Sequence, residues 1–226
     1  MISPKQREKL SQRLSIRADR KDTGAIPPQL QSVLTGGDLQ KVVAALAKSR
    51  LLLPIFPHKE TTDQGTDGDC ETPEFQTLLL PGGGRALAAY AGMDALDQDF
   101  CAARPLPLAS AKVAALAASH NLPMVVRPGN WVVPLPALHA LAGGSPWLSP
   151  EADQQLARHL QELFSEDDCA LISVRVSENG ETEIEFAASS KENALNAATR
   201  ISEDPVVAAR CAPIRLCPIP RTVRGR

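Results

Sequence analysis

Short apolar runs separated by proline and glycine dominate the chain from Leu51 to Ala142. Runs such as LLLPIF, FQTLLL and MVVR have the length of strands, and alanine-rich runs with helical spacing lie between them. Strand-length runs alternating with helical runs predict a packed domain of sheet and helices. A polar stretch over residues 57–74 interrupts the pattern, and we interpret it as a loop.

Two short helices are predicted before the first strand. Pro28 opens the first helix, and a Gly-Gly pair closes it. Asp38 is placed to cap the second helix, which repeats apolar residues at helical spacing from Leu39 to Ala47. Pro54, inside LLLPIF, predicts that the first strand lies at a sheet edge or carries a bulge.

A second unit is predicted after the segment GGSP. It begins with an amphipathic helix over residues 151–164 and continues with ISVRVSENGETEIEF, in which apolar and polar residues alternate. The alternation predicts that Ile172 is buried together with Val174 and Val176, and Asn179-Gly180 predicts a type I′ turn. A further helix and a last strand complete an αββαβ unit with an antiparallel sheet.

The whole pattern predicts an α+β fold, with a small mixed sheet and helices in the first unit and the smaller αββαβ unit after it. The predicted segments are a flexible basic N-terminal segment (1–28), the first α/β domain (29–142), a linker (143–150), the second domain (151–218) and a basic tail (219–226).

Composition and charge narrow the function classes. The chain has 226 residues, long enough for a sizeable core, and its net charge of −2 predicts no general attraction to nucleic acid or to membrane surfaces. The eight aromatic residues do not alternate with basic residues, so no platform for stacking bases is expected. No apolar run is long enough to cross a bilayer. We therefore expect neither nucleic acid nor membrane as a partner.

The cysteines indicate the redox compartment. There are five, they are scattered, and none forms a CxxC pair. With no secretory signal at the start of the sequence, this pattern predicts free thiols in a reducing cytoplasm.

The polar stretch 57–74 approaches the pattern of an EF-hand loop. With Asp63 at position 1, acidic side chains fall at positions 5, 9 and 12, and glycine falls at the turn position 6. The candidate metal ligands are Asp63, Asp67, Asp69, Glu71 and Glu74. However, position 3 is Gly65, which offers no ligand, and strands rather than helices flank the loop. We therefore expect a solvated loop without calcium, and no other cofactor.

Catalytic motifs are missing from the sequence. The segment PGGGR lacks the lysine and hydroxyl of a phosphate-binding loop, so a hairpin turn is the simpler interpretation. The four histidines form no HExxH motif, and no GxSxG nucleophile motif occurs. A Cys–His pair that is brought together only by folding stays open.

One family resembles the first unit. The segments SRLLLPIFP, FQTLLLPGGGRALAAYAGMDAL, RPLPLASAKVAALA and MVVRPGNWVVPLPALHALA, over roughly residues 39–142, resemble the SseB family. The resemblance is to actinobacterial-type proteins with an SseB N-terminal domain. It implies a strand, a glycine turn and a further strand before a small helix. The family has no established activity or catalytic residues, so the resemblance supplies none.

Two hypotheses for the function follow. The first, which we favour, is a non-catalytic binding or regulatory module that holds a protein or peptide partner. The alternative is an enzyme, or a protein that senses a small ligand or metal, with its site in the seam between the two units. The sequence leaves the identity of the partner and the oligomeric state open.

The calcium hypothesis can be tested by thermal melting. We expect no change in Tm when excess calcium or zinc is added, because the loop lacks one ligand and the helices that would order it. A bound ion at a hundredfold excess over its Kd would stabilise the fold by about 2.7 kcal/mol. A clear rise in Tm that EDTA reverses would contradict the expectation.

Overall fold

A computed structural model describes residues 22–56, 75–81, 83–211 and 213–221. Eight helices and nine strands lie in this part of the chain. In chain order they are α1 (Pro28–Gly36), α2 (Leu39–Leu46), β1 (Arg50–Ile55), β2 (Thr77–Leu79), β3 (Arg85–Tyr90), α3 (Met93–Asp99), β4 (Arg104–Ala109), α4 (Ser110–Ser119), β5 (Met124–Arg127), β6 (Trp131–Val133), α5 (Leu135–Ala142), α6 (Gln154–Ser165), β7 (Cys169–Val176), β8 (Thr182–Ala188), α7 (Lys191–Glu203), α8 (Pro205–Cys211) and β9 (Ile214–Pro220).

Some predictions lie outside the described residues. They are the structure of residues 1–21 of the basic N-terminal segment, that of residues 222–226 of the tail, and the candidate metal ligands Asp63, Asp67, Asp69, Glu71 and Glu74. The α+β fold class itself is confirmed, since helices pack on two separate sheets.

The first sheet is mixed, as predicted, and its strand order is β4-β1-β3-β5-β6. Strand β3 runs parallel to β5 and antiparallel to both β1 and β2. Because β5 occupies one edge of β3, both β1 and β2 must lie along the other edge. Leu52 of β1 stands opposite Tyr90, near the end of β3, whereas Leu78 of β2 stands opposite Ala86, near its start.

The edge position predicted for β1 from Pro54 is wrong, because β1 lies between β4 and β3. Proline is tolerated here because β1 and β3 share the single pair Leu52–Tyr90, and Pro54 lies beyond it. The next position of β3 on this side, Ala88, donates its N–H to the carbonyl oxygen of Gln76 at 2.9 Å instead. Pro54 has no N–H to donate, but the β1–β3 ladder does not need one at this position, so no hydrogen bond of that ladder is lost.

The turn between β2 and β3 is the hairpin expected from PGGGR. Leu80 donates its N–H to the carbonyl of Gly84 at 2.7 Å, and Gly83 donates to the carbonyl of Leu80 at 2.9 Å. Gly83 has a φ of 86°, a conformation that glycine adopts without strain.

Both faces of the first sheet are covered. On one face, helices α1, α2, α4 and α5 enclose the main core, to which β3 contributes Leu87 and Ala89. On the opposite face, Ala88 and Tyr90 pack against α3 through Leu96. A smaller apolar cluster beside it contains Ala86, Val125 and Val132, with the β2 hairpin residues Leu78 and Leu80 against it.

The second sheet has the order β7-β8-β9. Strands β7 and β8 are antiparallel, but β8 and β9 are parallel, so the prediction of an antiparallel sheet is wrong. The reason is that two helices, α7 and α8, connect β8 to β9 and return the chain to the start of β8. Helices α6, α7 and α8 supply buried residues to the core on one face, where the rings of Phe164 and Phe186 stack with centroids 4.6 Å apart.

Two details of the β7–β8 hairpin differ from the prediction. Ile172 is 49% exposed, because a bulge between Leu171 and Ser173 adds one residue and changes the alternation. Leu171 packs against the core instead, while Val174 packs against it as predicted. The turn is not type I′, since the positive φ of 77° falls on Gly180 and not on Asn179.

The two units meet at this hairpin turn. A Cβ atom added to Gly180 would lie 2.6 Å from Cγ1 of Val132, so the turn approaches β6 closely. Within the connecting segment, Ser149 donates its N–H to Oε1 of Gln40 in α2 at 3.1 Å. The domain boundaries given above stay a prediction. Among the described helices, none combines the length and apolar composition that a bilayer span requires.

The bulge predicts a difference between two matched substitutions. Ile184→Ala, at a fully buried position of β8, should lower the free energy of unfolding by about 2–5 kcal/mol through the lost contacts and the cavity. Ile172→Ala should lower it by less than about 1 kcal/mol, because half of that side chain already faces water. Urea denaturation measures both. Equal losses would mean that Ile172 is in the core after all.

Candidate functional site

A cleft of about 720 Å³ lies where the second unit faces the first sheet. Val125 and Val132 line it from the sheet, and the β2 hairpin lines it through Leu78 and Leu80. The start of the β7–β8 turn, Val176–Glu178, lines it from the second unit. The size is within the range of small-molecule and cofactor sites, about 300–1,000 Å³. We call this space the seam cleft.

Arg127 is the one basic residue among those that line the seam cleft. It ends β5, and its Nη2 donates to Oδ1 of Asp99 at 3.1 Å while its Nη1 donates to Oδ1 of Asn130 at 2.6 Å. Nε lies 2.8 Å from Oδ2 of Asp99, but its N–H is not directed at that oxygen and has no hydrogen-bond acceptor. The guanidinium is therefore held at a defined position, with its side chain 31% exposed.

The local backbone explains how Arg127 is placed. The turn after β5 contains Gly129 and Asn130, both with positive φ, at 100° and 55°. Glycine is also needed for space, because a Cβ atom at Gly129 would lie 2.7 Å from Nε1 of Trp131. That nitrogen donates to the carbonyl of Leu34 at 3.1 Å, which ties the turn to α1.

Tyr90 extends the network beneath the sheet surface. Its hydroxyl donates to Oδ2 of Asp99 at 2.7 Å, and its side chain is fully buried. Burial raises the pKa of Tyr90 well above its ordinary value, the hydrogen bond and the charge of Asp99 raise it further, and Arg127 opposes this in part. Tyr90 is therefore a neutral donor that orients Asp99, which in turn orients Arg127.

The remaining polar side chains of the seam cleft belong to the β7–β8 turn. The Ser177 hydroxyl oxygen accepts the backbone N–H groups of Asn179 and Glu181, at 3.3 and 3.2 Å. Ser177 therefore stabilises the turn, and no base contacts it. Glu178 is exposed at the rim. In the described lining, no nucleophile is paired with a general base.

A second cavity, of about 510 Å³, lies at the connection between the units. Trp147 and Leu148 line it together with several prolines. Its charged residues are Asp153 and Arg210, which pair at 2.6 Å. Asp153 also caps α6 by accepting the N–H groups of Gln155 and Leu156 at 3.0 Å each. These charges therefore hold α6 and α8 together.

No hydrogen bond joins a cysteine to a histidine among the described residues, since those of Cys169 go to backbone carbonyls. Burial raises the pKa of the Cys211 thiol to about 12, and the pKa of Cys169 is raised by burial and by the nearby Asp167 and Asp168. Both thiols are therefore protonated and unreactive at neutral pH. His159 contacts Asp204 at 3.0 Å rather than a sulfur atom.

The described residues contain no group of three or more His, Cys, Asp or Glu that could hold a metal ion. The acidic candidates at 63–74 are not among those residues, so the calcium hypothesis stays untested. No pattern in the sequence predicted that Tyr90, Asp99 or Arg127 belongs to a site. The sequence held part of the information for Arg127. In MVVRPGN a strand ends in Arg just before the turn residues Pro-Gly-Asn, which predicts a basic residue beside a turn.

This architecture defines an α+β protein with a mixed sheet, a smaller appended sheet, and a cleft between them. A family model described as SseB protein N-terminal domain matches residues 30–139. Residues 30–139 therefore match the SseB N-terminal domain, which confirms the resemblance seen in the sequence. The link to actinobacterial members stays a prediction. Neither the curated proteins nor the solved structures give a significant match to the chain.

The buried network predicts the titration of Tyr90, which is the single tyrosine of the chain. The folded-state pKa of Tyr90 lies above the unfolded value of about 10. The buried, protonated hydroxyl therefore contributes its full stability below about pH 10, and this contribution is lost as the pH rises from about 10 toward the folded-state pKa. Tyrosinate absorbance should appear well above pH 10 in the native protein.

Asp99→Asn should lower the pKa of Tyr90, because it removes the negative charge, while burial keeps it above the ordinary value. Circular dichroism at each pH separates titration of the folded protein from unfolding. Tyrosinate formation near pH 10 in the folded wild type would show that the ring is not held as described.

Proposed function

We propose that the chain is a non-catalytic binding module that holds a protein or peptide partner in the seam cleft. The observation that carries this proposal is that polar side chains of the lining are hydrogen-bonded to other residues of the same chain. Arg127 is bonded to Asp99 and Asn130, and Ser177 is bonded to its own turn. Polar side chains that are bonded within the fold can position a partner, but they do not form a nucleophile and base.

The apolar part of the lining supports the same proposal. Val125 and Val132 belong to an apolar cluster, and the β2 hairpin packs against it through the partly buried Leu78 and Leu80. At its rim, Leu79 is 78% exposed, the highest value among the exposed large hydrophobic residues of the described chain. An exposed leucine beside an apolar cleft favours an interaction with another protein. A cytoplasmic location is part of this proposal.

A second candidate is a small-ligand site in the same cleft. It is favoured by the position of Arg127 at the carboxyl end of β5, beside the parallel strand β3. Ligands of open α/β sheets bind outside the carboxyl ends of parallel strands. A thermal shift caused by a small molecule, unaffected by changes at the rim, would favour this candidate.

Two matched substitutions test the binding module. Leu79→Asp places a charge at the rim of the seam cleft, whereas Leu195→Asp places the same charge on α7, at a position 66% exposed. Both should fold, because neither side chain is buried. Proteins captured from the native host by wild type should be lost with Leu79→Asp and kept with Leu195→Asp.

A photo-crosslinking side chain at position 79, and separately at position 195, identifies the contact directly. The captured protein should crosslink from position 79 and not from position 195. Equal capture by both aspartate variants, with no crosslink from position 79, would rule out the seam cleft as the binding surface.

A further inference from the structure

Arg127 is unusual among the residues of the seam cleft, since it is a single cation beside an apolar surface. We propose that the seam cleft binds the C-terminal end of an apolar segment of a partner protein, with the terminal carboxylate on Arg127. This inference rests on the proposed function and names the chemistry of the partner.

The donors of Arg127 match a carboxylate. Each terminal nitrogen of a guanidinium carries two N–H groups. Nη1 uses one on Asn130, and Nη2 uses one on Asp99. One N–H therefore remains on each terminal nitrogen, and two such donors can hold the two oxygens of a carboxylate.

The network beneath Arg127 keeps it in place without a ligand. Asp99 balances its charge, and the hydroxyl of Tyr90 takes part of the hydrogen-bonding capacity of Asp99. The guanidinium side chain is 31% exposed, so a carboxylate can reach it from the cleft. A positioned arginine loses little conformational entropy when the ligand binds.

The rest of the lining favours an extended, apolar chain with one negative charge. Leu78, Leu79 and Trp131, which are partly or fully exposed, offer apolar contacts to the side chains of an extended chain. Strand β6 ends the strand order, so its outer edge has no strand partner in the described structure. Asp99 balances the charge of Arg127 and Glu178 adds a negative charge at the rim, so hydrogen bonds from Arg127 rather than net charge would hold a single carboxylate, and a highly acidic peptide is disfavoured. A chain terminus that follows apolar residues meets these conditions.

The test uses the full-length protein and two matched sets of fluorescent apolar peptides. One set ends in a free carboxylate, and the other has the same sequences with an amide at the C-terminus. We expect fluorescence anisotropy to show binding of the free acids and at least about tenfold weaker binding of the amides. This comparison needs only wild-type protein.

Two substitutions assign the effect. Arg127→Gln should remove the preference for the acid, provided that circular dichroism shows a native fold. Arg85→Gln is the matched control, because Arg85 likewise lies in a strand of the first sheet, β3, but bonds to Thr77 and does not line the cleft. It should leave the preference unchanged.

Equal affinity for acids and amides would overturn this inference and leave the proposed function standing, since peptides would still bind. Failure of every peptide in both sets to bind would also overturn it. If the capture experiment at positions 79 and 195 nevertheless succeeds, the cleft binds a partner by another chemistry. If that experiment fails too, both proposals fall.

Discussion

Burial of β3 on both faces is the constraint on which the first unit depends. Its residues from Ala86 to Tyr90 are all almost completely buried, although three of them are alanines. Small side chains let the main core and α3 approach the strand from opposite sides, so there is little room for a larger residue on either face. Strand β3 thereby pairs with β1, β2 and β5 along its edges and packs against a helical layer on each of its two faces.

The same constraint explains the polar network. Tyr90 is the large residue at the end of β3, and its hydroxyl cannot be buried without a partner. Asp99, at the end of the helix that follows, supplies this partner and needs a cation in turn. Parallel pairing with β5 brings Arg127 opposite Tyr90, which provides the cation at the surface of the cleft. The buried hydroxyl of Tyr90 needs a hydrogen-bond partner, and the residues that meet this need leave the guanidinium of Arg127 where a ligand can reach it.

Features decided by neighbouring residues could be predicted from the sequence. Asp38 caps α2 by accepting the N–H of Lys41, and the glycine turn before β3 forms as expected. Features decided by distant residues could not. One inserted residue at Ile172 reverses the alternation of β7, and the direction of β9 depends on two helices. Asp99 and Arg127 are 28 residues apart, so only the sheet pairing brings them together.

Because β1 and β2 lie along one edge of β3 at opposite ends, the two strands share no pair with each other and each has its own register with β3. Each strand is held by its own pairs with β3, and β1 also by β4. Loss of the β2–β3 pairs would therefore leave the pairs that β1 makes with β3 and β4 in place.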